Sequence, residues 1–174
     1  TELASCCTVP SGVVAGIWIP GQGSYVTAKG FADVEARRPM QVGDYFRVGS
    51  LTKTFTATAL LILVDEKKLR LDDPVSKYAT WVPNGDHITL RMLANMTSGL
   101  HNYTEVDAWD KTMLSDLRRV WTPRELVDVG IGQPPDFPPG KGWHYSNTNY
   151  VLLGMILEQV TGKKIQQVFA EKIC

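Results

Sequence analysis

The sequence predicts an α+β fold on three observations. Two strand-like runs joined by turn residues stand near the N-terminus, two strongly apolar segments have helical length, and a proline- and glycine-rich stretch precedes the second of these. Val13 to Ile19 mixes β-branched residues with Trp18, Pro20-Gly21-Gln22-Gly23 supplies turn chemistry, and Ser24 to Phe31 resumes the strand-like pattern. That is a β-hairpin. Ala32 to Gly43 is more polar, is broken by Pro39 and Gly43, and leads into the short segment Tyr45 to Val48.

From about Ser50, the residues Phe55, Ala57, Ala59, Leu60, Leu61, Ile62, Leu63 and Val64 are apolar nearly all the way round, which predicts a buried helix. It should end near Lys67-Lys68, whose charges suit the negative end of the macrodipole. Asp72-Asp73-Pro74 predicts a turn and a new helix start, with Asp at the cap and Pro just inside. Thr89 to Asn95 reads as a short helix capped by Thr89 and stopped by Thr97-Ser98-Gly99. Between His101 and Val120 the pattern is weak, so an irregular connection with one helical turn is expected. Thr122-Pro123-Arg124-Glu125 is a capping box with proline at the first helical position, opening a helix through about Val129. Gly130 to Gly142 holds four prolines and reads as a structured loop. A second apolar helix follows from Thr148 to Val160, closed by Gly162, and Lys163 to Cys174 begins another amphipathic one.

Bulk properties narrow the function. The 174 residues suit a domain with a real core. Lys+Arg and Asp+Glu are both 18, so the charge is balanced and nothing marks a nucleic-acid or anionic-membrane partner. The longest apolar run, Ala57 to Val64 interrupted only by Thr58, is too short to span a bilayer. Cys6, Cys7 and Cys174 form no C-x-x-C pair, and His87, His101 and His144 have no metal-ligand spacing and read as surface or loop residues. The sequence therefore calls for no metal and no cofactor. Leu3-Ala4-Ser5-Cys6 resembles a lipoprotein cleavage site only loosely, since no basic or apolar segment precedes it. Asn95-Met96-Thr97 and Asn102-Tyr103-Thr104 match the glycosylation sequon. A Gly-rich phosphate loop and a G-x-S-x-G elbow are both absent, which disfavours a nucleotide-binding protein and an α/β-hydrolase.

Two short motifs carry chemistry. Ser50 and Lys53 form S-x-x-K, one helical turn apart on the same face. Negative charge developing near Ser50 would be stabilised by the unpaired N–H groups and positive end of the helix dipole. A lysine held against an apolar helix loses hydration, which lowers its pKa and lets it take the hydroxyl proton. Taken alone, the four residues read equally as an N-cap and a solvated lysine. Downstream, Tyr145 and Asn147 in Tyr145-Ser146-Asn147 stand at alternate positions and can face the same way. A phenol close to an ammonium is favoured as phenolate and can serve as base and then acid. By itself this is an ordinary loop tyrosine and a capping asparagine.

Together the motifs are far more specific. The chain resembles the serine β-lactamase and penicillin-recognising enzymes of the class C type, most of all the D-alanyl-D-alanine carboxypeptidases. The residues that carry the likeness are Phe46 to Lys53, Leu61 to Val75, Met96-Thr97-Ser98-Gly99-Leu100, and Pro139-Gly140 with Tyr145 to Gly154. The resemblance implies a β-lactamase/transpeptidase-like fold, of which residues 1–49 are the N-terminal hairpin and lead-in and residues 50–174 the mainly helical region. It also implies roles: Ser50 as acylated nucleophile, Lys53 as its proton partner, Tyr145 as general base and acid, Asn147 as ligand of the substrate amide, and the Ser50 N–H as half of an oxyanion hole.

The implied substrates are D-Ala-D-Ala-type peptides or β-lactams, or an ester in the esterases of the family, and a β-lactam sensor or assembly protein is the non-catalytic alternative. An exported location goes with the family. Met96 departs from the histidine many relatives carry, at a structural position. A third motif, Lys or His followed by Thr or Ser and Gly, does not follow Asn147. The expectation is therefore an N-terminal portion whose remaining strands lie in a missing C-terminal half, with the helix that usually precedes the first strand clipped as well.

Overall fold

β-Branched and aromatic residues on either side of a proline- and glycine-bearing turn favour antiparallel pairing of the first two strands. In the computed structural model, which describes residues 11–174, β1 (Gly12–Ile19) pairs with β2 (Gly23–Asp33) in a register running from Gly12 opposite Gly30 to Ile19 opposite Gly23. The turn is closed by the Gln22 N–H donating to the Ile19 carbonyl at 3.0 Å. A two-residue β3 (Arg38–Pro39) adds to β2 past a bulge between Phe31 and Asp33, giving a three-stranded sheet in the order β1-β2-β3. The sequence reading takes this stretch as a polar connection, because Pro39 cannot donate to a ladder and marks only an edge. Local polar contacts organise it instead: Asp33 accepts from the Ala36 N–H, and Arg38 donates to Asp44 at 2.9 Å. Cys6, Cys7, the segment Leu3-Ala4-Ser5-Cys6 and the stretch where the helix usually preceding the first strand is expected to be clipped lie outside the described residues.

The chain divides into two compact units, the first ending at Val48 and the second running Gly49–Cys174. The hydrophobic core belongs to the second. Its helices are α1 (Thr52–Asp65), α2 (Leu90–Ala94), α3 (Asp107–Ser115), α4 (Pro123–Ile131), α5 (Asn147–Thr161) and α6 (Ile165–Lys172). The second apolar segment, α5, packs against α1, α2, α4 and α6. It buries Leu152, Leu153, Ile156 and Leu157 in one cluster with Ala59, Leu60 and Leu63 of α1. Several termini follow their sequence signals. Thr89 accepts the Met92 N–H, Thr122 and Glu125 complete both legs of the capping box, and Gly162 ends α5 in a left-handed conformation.

Four expectations are corrected. Only Thr56, Ala59, Leu60 and Leu63 of α1 are buried, a single stripe, and Leu61 off that stripe is 55% exposed. A hydrophobic run thus overstated burial, since one helix face meets α5 and α6 whatever the other faces carry. The helix also ends at Asp65, and Lys67 takes a positive φ of 59° in the turn that follows. Asp72-Asp73-Pro74 starts only a 3₁₀ turn at Val75–Lys77, with Pro74 flanking it rather than inside. There the Asp73 carboxylate accepts from the Arg70 N–H, Lys77 and the Tyr78 hydroxyl, and the Val75 N–H donates to Ile88. Between His101 and Val120 lie a 3₁₀ turn at Tyr103–Glu105 and the nine-residue α3. No residue of α3 is fully buried, so it carries none of the strongly apolar character that marks α1 and α5 as helices. Aromatic contacts of Trp109 with Tyr103 and Trp121, at centroid distances of 5.0 and 6.0 Å, hold it instead.

The α1–α5 interface gives the fold its stability test. Leu153→Ala, at a position with no solvent exposure, is expected to lower unfolding free energy by about 2–5 kcal/mol in a urea titration.

Candidate active site

The approach to α1 is turned by Gly49, whose φ of 53° lies in the left-handed region that glycine adopts without strain. It opens the 3₁₀ turn Gly49–Leu51, which runs directly into α1. Leu51 holds the N-cap position and no side chain caps it. The Ser50 hydroxyl is therefore not a helix cap, and it points to another partner.

That partner comes from 95 residues further on. Ser50 Oγ and Tyr145 Oη are 2.7 Å apart, Lys53 Nζ donates to Ser50 Oγ at 3.1 Å, and Lys53 Nζ donates to Asn147 Oδ1 at 2.7 Å. All four residues singled out in the sequence are brought together. Lys53 is half-buried, with its ammonium 4.7 Å from the Tyr145 ring centroid and 5.7 Å from that of Tyr150. Ser146, between the two site residues, is turned into the protein and is 1% exposed. The alternate facing read from Tyr145-Ser146-Asn147 is thus realised.

The proline- and glycine-rich loop places this segment by backbone bonding onto residues 96–99. The Asp136 N–H donates to the Gly99 carbonyl at 2.9 Å, Gly140 to Thr97 at 2.8 Å and His144 to Met96 at 3.1 Å. Close approach makes Gly99 obligatory: a Cβ there would stand 2.0 Å from the Phe137 carbonyl oxygen, at a φ of 79°. Met96 is 8% exposed and acts from behind the site, its sulfur accepting from the Ser146 N–H at 3.4 Å and from Asn149 Nδ2 at 3.5 Å. Methionine sulfur is a weak acceptor, and the contacts are to the supporting backbone.

An open cleft of about 330 Å³ lies over the cluster, lined by Gly49, Ser50, Lys53, Tyr103, Asn147 and Tyr150 among others. Tyr103, Tyr150 and Asn102 were missed by sequence reasoning. Tyr150 Oη donates to the Ala94 carbonyl at 2.8 Å, and burial pushes the phenols of Tyr103 and Tyr150 up. Asn102 is 3% exposed, and its side-chain amide is engaged on both sides, so the sequon at Asn102-Tyr103-Thr104 is not presented for glycosylation. Asn95, the other sequon asparagine, is exposed and accepts from Thr97 Oγ1.

The histidines need a partial correction. His101 Nδ1 and His144 Nδ1 each lie 2.7 Å from an oxygen of Asp136, and His144 Nε2 lies 3.4 Å from Glu105. They are loop residues, as read, but they share one carboxylate because the loop carrying Asp136 and His144 folds back on His101. Among the described residues, no group of three or more His, Cys, Asp and Glu side chains could hold a metal ion. No helix among them is long and apolar enough to cross a membrane.

Electrostatically, the cluster favours a reactive phenol. Hydrogen bonding from the Lys53 ammonium, then from the Ser50 hydroxyl, holds Tyr145 below the ordinary tyrosine value, against a burial effect that raises it. A hydroxyl within hydrogen-bond reach of a phenol so tuned, and of an ammonium that donates to the same oxygen, is the geometry needed to move a proton off the hydroxyl. Replacing Lys53 by Met removes the leading cause of the lowered phenol. The Tyr145 titration, isolated from the other tyrosines by subtracting a Tyr145→Phe spectrum, should then move to higher pH.

Known proteins resemble the chain in sequence and in fold. Penicillin-binding protein 4* of Bacillus subtilis is 33% identical over 139 residues, 76% of this chain and 29% of that protein. A D-aminopeptidase of Cereibacter sphaeroides is 32% identical over 167 residues, 93% of this chain and 31% of that protein. The crystal structure of a D-stereospecific amidohydrolase from Streptomyces sp. superposes with a TM-score of 0.82 at 38% identity, covering 93% of this chain and 48% of that one. The chain thus spans about a third of these two curated relatives and about half of that solved structure. The family model described as Beta-lactamase matches residues 10–174, and the chain belongs to that family.

Proposed function

We propose that Ser50 is the nucleophile of a serine acyl-enzyme hydrolase acting on amide bonds of D-amino-acid compounds, with D-Ala-D-Ala-type peptides and β-lactams in its substrate class. The observation that carries this reading is the 2.7 Å contact between Ser50 Oγ and a Tyr145 hydroxyl of lowered pKa. Relatives described as a penicillin-binding protein, a D-aminopeptidase and a D-stereospecific amidohydrolase support the substrate class.

The chemistry follows from donor and acceptor roles. With Tyr145 as phenolate, the Ser50 hydroxyl donates to it while Lys53 donates to Ser50 Oγ, so proton loss and electrostatic stabilisation converge on one oxygen. Ser50 Oγ attacks the substrate carbonyl carbon as its proton passes to Tyr145. The Ser50 N–H, at the mouth of α1 where the dipole is positive, supplies one oxyanion donor. Collapse breaks the carbon–nitrogen bond, and Tyr145 returns the proton to the leaving amine. Water then attacks the ester on Ser50, giving one proton to Tyr145, and that proton returns to Ser50 Oγ as the acid leaves. In this reading Asn147 Nδ2 exchanges its 3.2 Å bond to Thr104 Oγ1 for one to the substrate amide carbonyl, and Lys53 keeps the phenol acidic in both halves.

The short span of this chain relative to its relatives supports a further element of the proposal. A longer parent protein completes the site with a C-terminal portion that supplies the second oxyanion donor and the remaining strands. The 174 residues alone are then expected to turn over substrate slowly or not at all. The reading carries the exported location implied by the family likeness.

The test uses the full-length protein and a D-amino-acid p-nitroanilide. Hydrolysis should vanish in Ser50→Ala and fall about 10²–10⁴-fold in Tyr145→Phe, the range for loss of a general acid–base group. A penicillin should leave a mass adduct on the peptide containing Ser50. Hydrolysis that survives Ser50→Ala, or an adduct on another residue, would sink the reading.

A further inference from the structure

Asn147 has two ends, and its oxygen end faces Lys53. Its Oδ1 accepts from Lys53 Nζ at 2.7 Å, while its Nδ2 donates to Asn102 Oδ1 and to Thr104 Oγ1, both at 3.2 Å. The Asn147 backbone N–H donates to the same Asn102 Oδ1 at 3.0 Å. Asn102 is buried at 3% exposure, and its Nδ2 donates to Glu105 Oε1 at 2.9 Å. The segment is tied to α5 nearby, where Thr148 Oγ1 donates to the His101 carbonyl at 2.7 Å and accepts the Tyr103 N–H at 3.1 Å.

We propose that Asn102 is the positioning residue that sets the orientation of the Asn147 side-chain amide, and through it the Lys53 ammonium. The logic is one of donor polarity. Glu105, as carboxylate, can only accept, and Lys53, as ammonium, can only donate. Between these two ends the amides of Asn102 and Asn147 have one arrangement that leaves every group matched, running head to tail from the carboxylate to the ammonium. Turning Asn102 over would set its oxygen against Glu105 and its NH₂ against two N–H donors of Asn147. Inside a protein, such mismatches forfeit bonds that water cannot replace. Glu105 is braced by His144 Nε2 at 3.4 Å, and His144 is braced by Asp136, which also holds His101. The shared carboxylate thus belongs to the same chain of contacts.

The proposal rests on the reading of Ser50, Lys53 and Asn147 given above, and its test has one arm that requires no turnover. In full-length protein labelled with ¹⁵N-asparagine, the Asn147 carboxamide signal, assigned by its loss in Asn147→Ala, should show slowed proton exchange. That protection should disappear in Asn102→Leu while other asparagine signals persist. In the second arm, acylation of Ser50 by a fluorescent penicillin should slow about 10²-fold in Asn102→Leu and in Asn102→Asp, the scale expected for a displaced site group.

Asn102→Asp combined with Glu105→Gln should recover most of the rate. The new carboxylate still accepts from Asn147, and the new amide donates back to it, which reverses one bond and restores the match. An Asn147 signal unchanged by Asn102→Leu would overturn the proposal, as would a double variant no faster than Asn102→Asp alone. Absence of any adduct in the unsubstituted protein would instead count against the function assigned to Ser50, leaving the carboxamide measurement to decide the role of Asn102.

Discussion

The burial of α5 against α1 is the contact on which the site depends. Leu152, Leu153, Ile156 and Leu157 on one side and Ala59, Leu60 and Leu63 on the other are excluded from water together. Burying a side chain of this size contributes about 1.5–3 kcal/mol, so the pairing of the helices is set by apolar area rather than by the polar groups at their ends. The consequence is chemical. The N-terminal ends of the two helices meet, and Ser50 and Lys53 find Tyr145 and Asn147 at 95 and 94 residues' separation. Polar residues that would be unremarkable on separate elements become one cluster because the helices behind them have no other way to lose their water.

Within that cluster, charge and donor polarity decide which atoms face each other. Lys53 brings the cation, and every neighbour in contact with its ammonium nitrogen presents an oxygen or an aromatic face: Ser50 Oγ, Asn147 Oδ1 and the rings of Tyr145 and Tyr150. Such an arrangement tolerates the ammonium close to apolar packing, and it lowers the pKa of the phenol at the same time. From Asn147 the pattern continues through Asn102 to the Glu105 carboxylate, so that a cation and an anion bracket two amides. The cluster is held by its surroundings, which is the condition under which fixed dipoles would be effective in the reaction proposed for it.

Legibility from the sequence followed the strength of local signals. The hairpin, the capping box and the two apolar helices could be read because each rests on residues within a few positions of one another, such as Thr122 with Glu125 or Gly162 after Val160. The helix α3 could not, since it is stabilised by Trp109 meeting Tyr103 and Trp121 and carries no buried stripe. The short β3 failed for a related reason, a proline-bearing edge having no propensity signature. Ser50, Lys53, Tyr145 and Asn147 were legible as two motifs of familiar spacing. Asn102 was visible only as a sequon asparagine, because its part in the site depends on an acceptor supplied from Glu105 and donors supplied from Asn147.

By itself, the sequence determined the hairpin and the helices with strong local signals, where their ends would fall to within a few residues, and which side chains were chemically able to form a site. Those properties depend on local backbone preference and on patterns of period two and 3.6. Only the tertiary structure decided that the Ser50 hydroxyl is not a helix cap but a partner of Tyr145, that α1 buries one stripe and leaves Leu61 exposed, and that His101 and His144 meet at one carboxylate. Each of these turns on a contact across many residues of chain, and such contacts are selected by the packing of whole helices and loops.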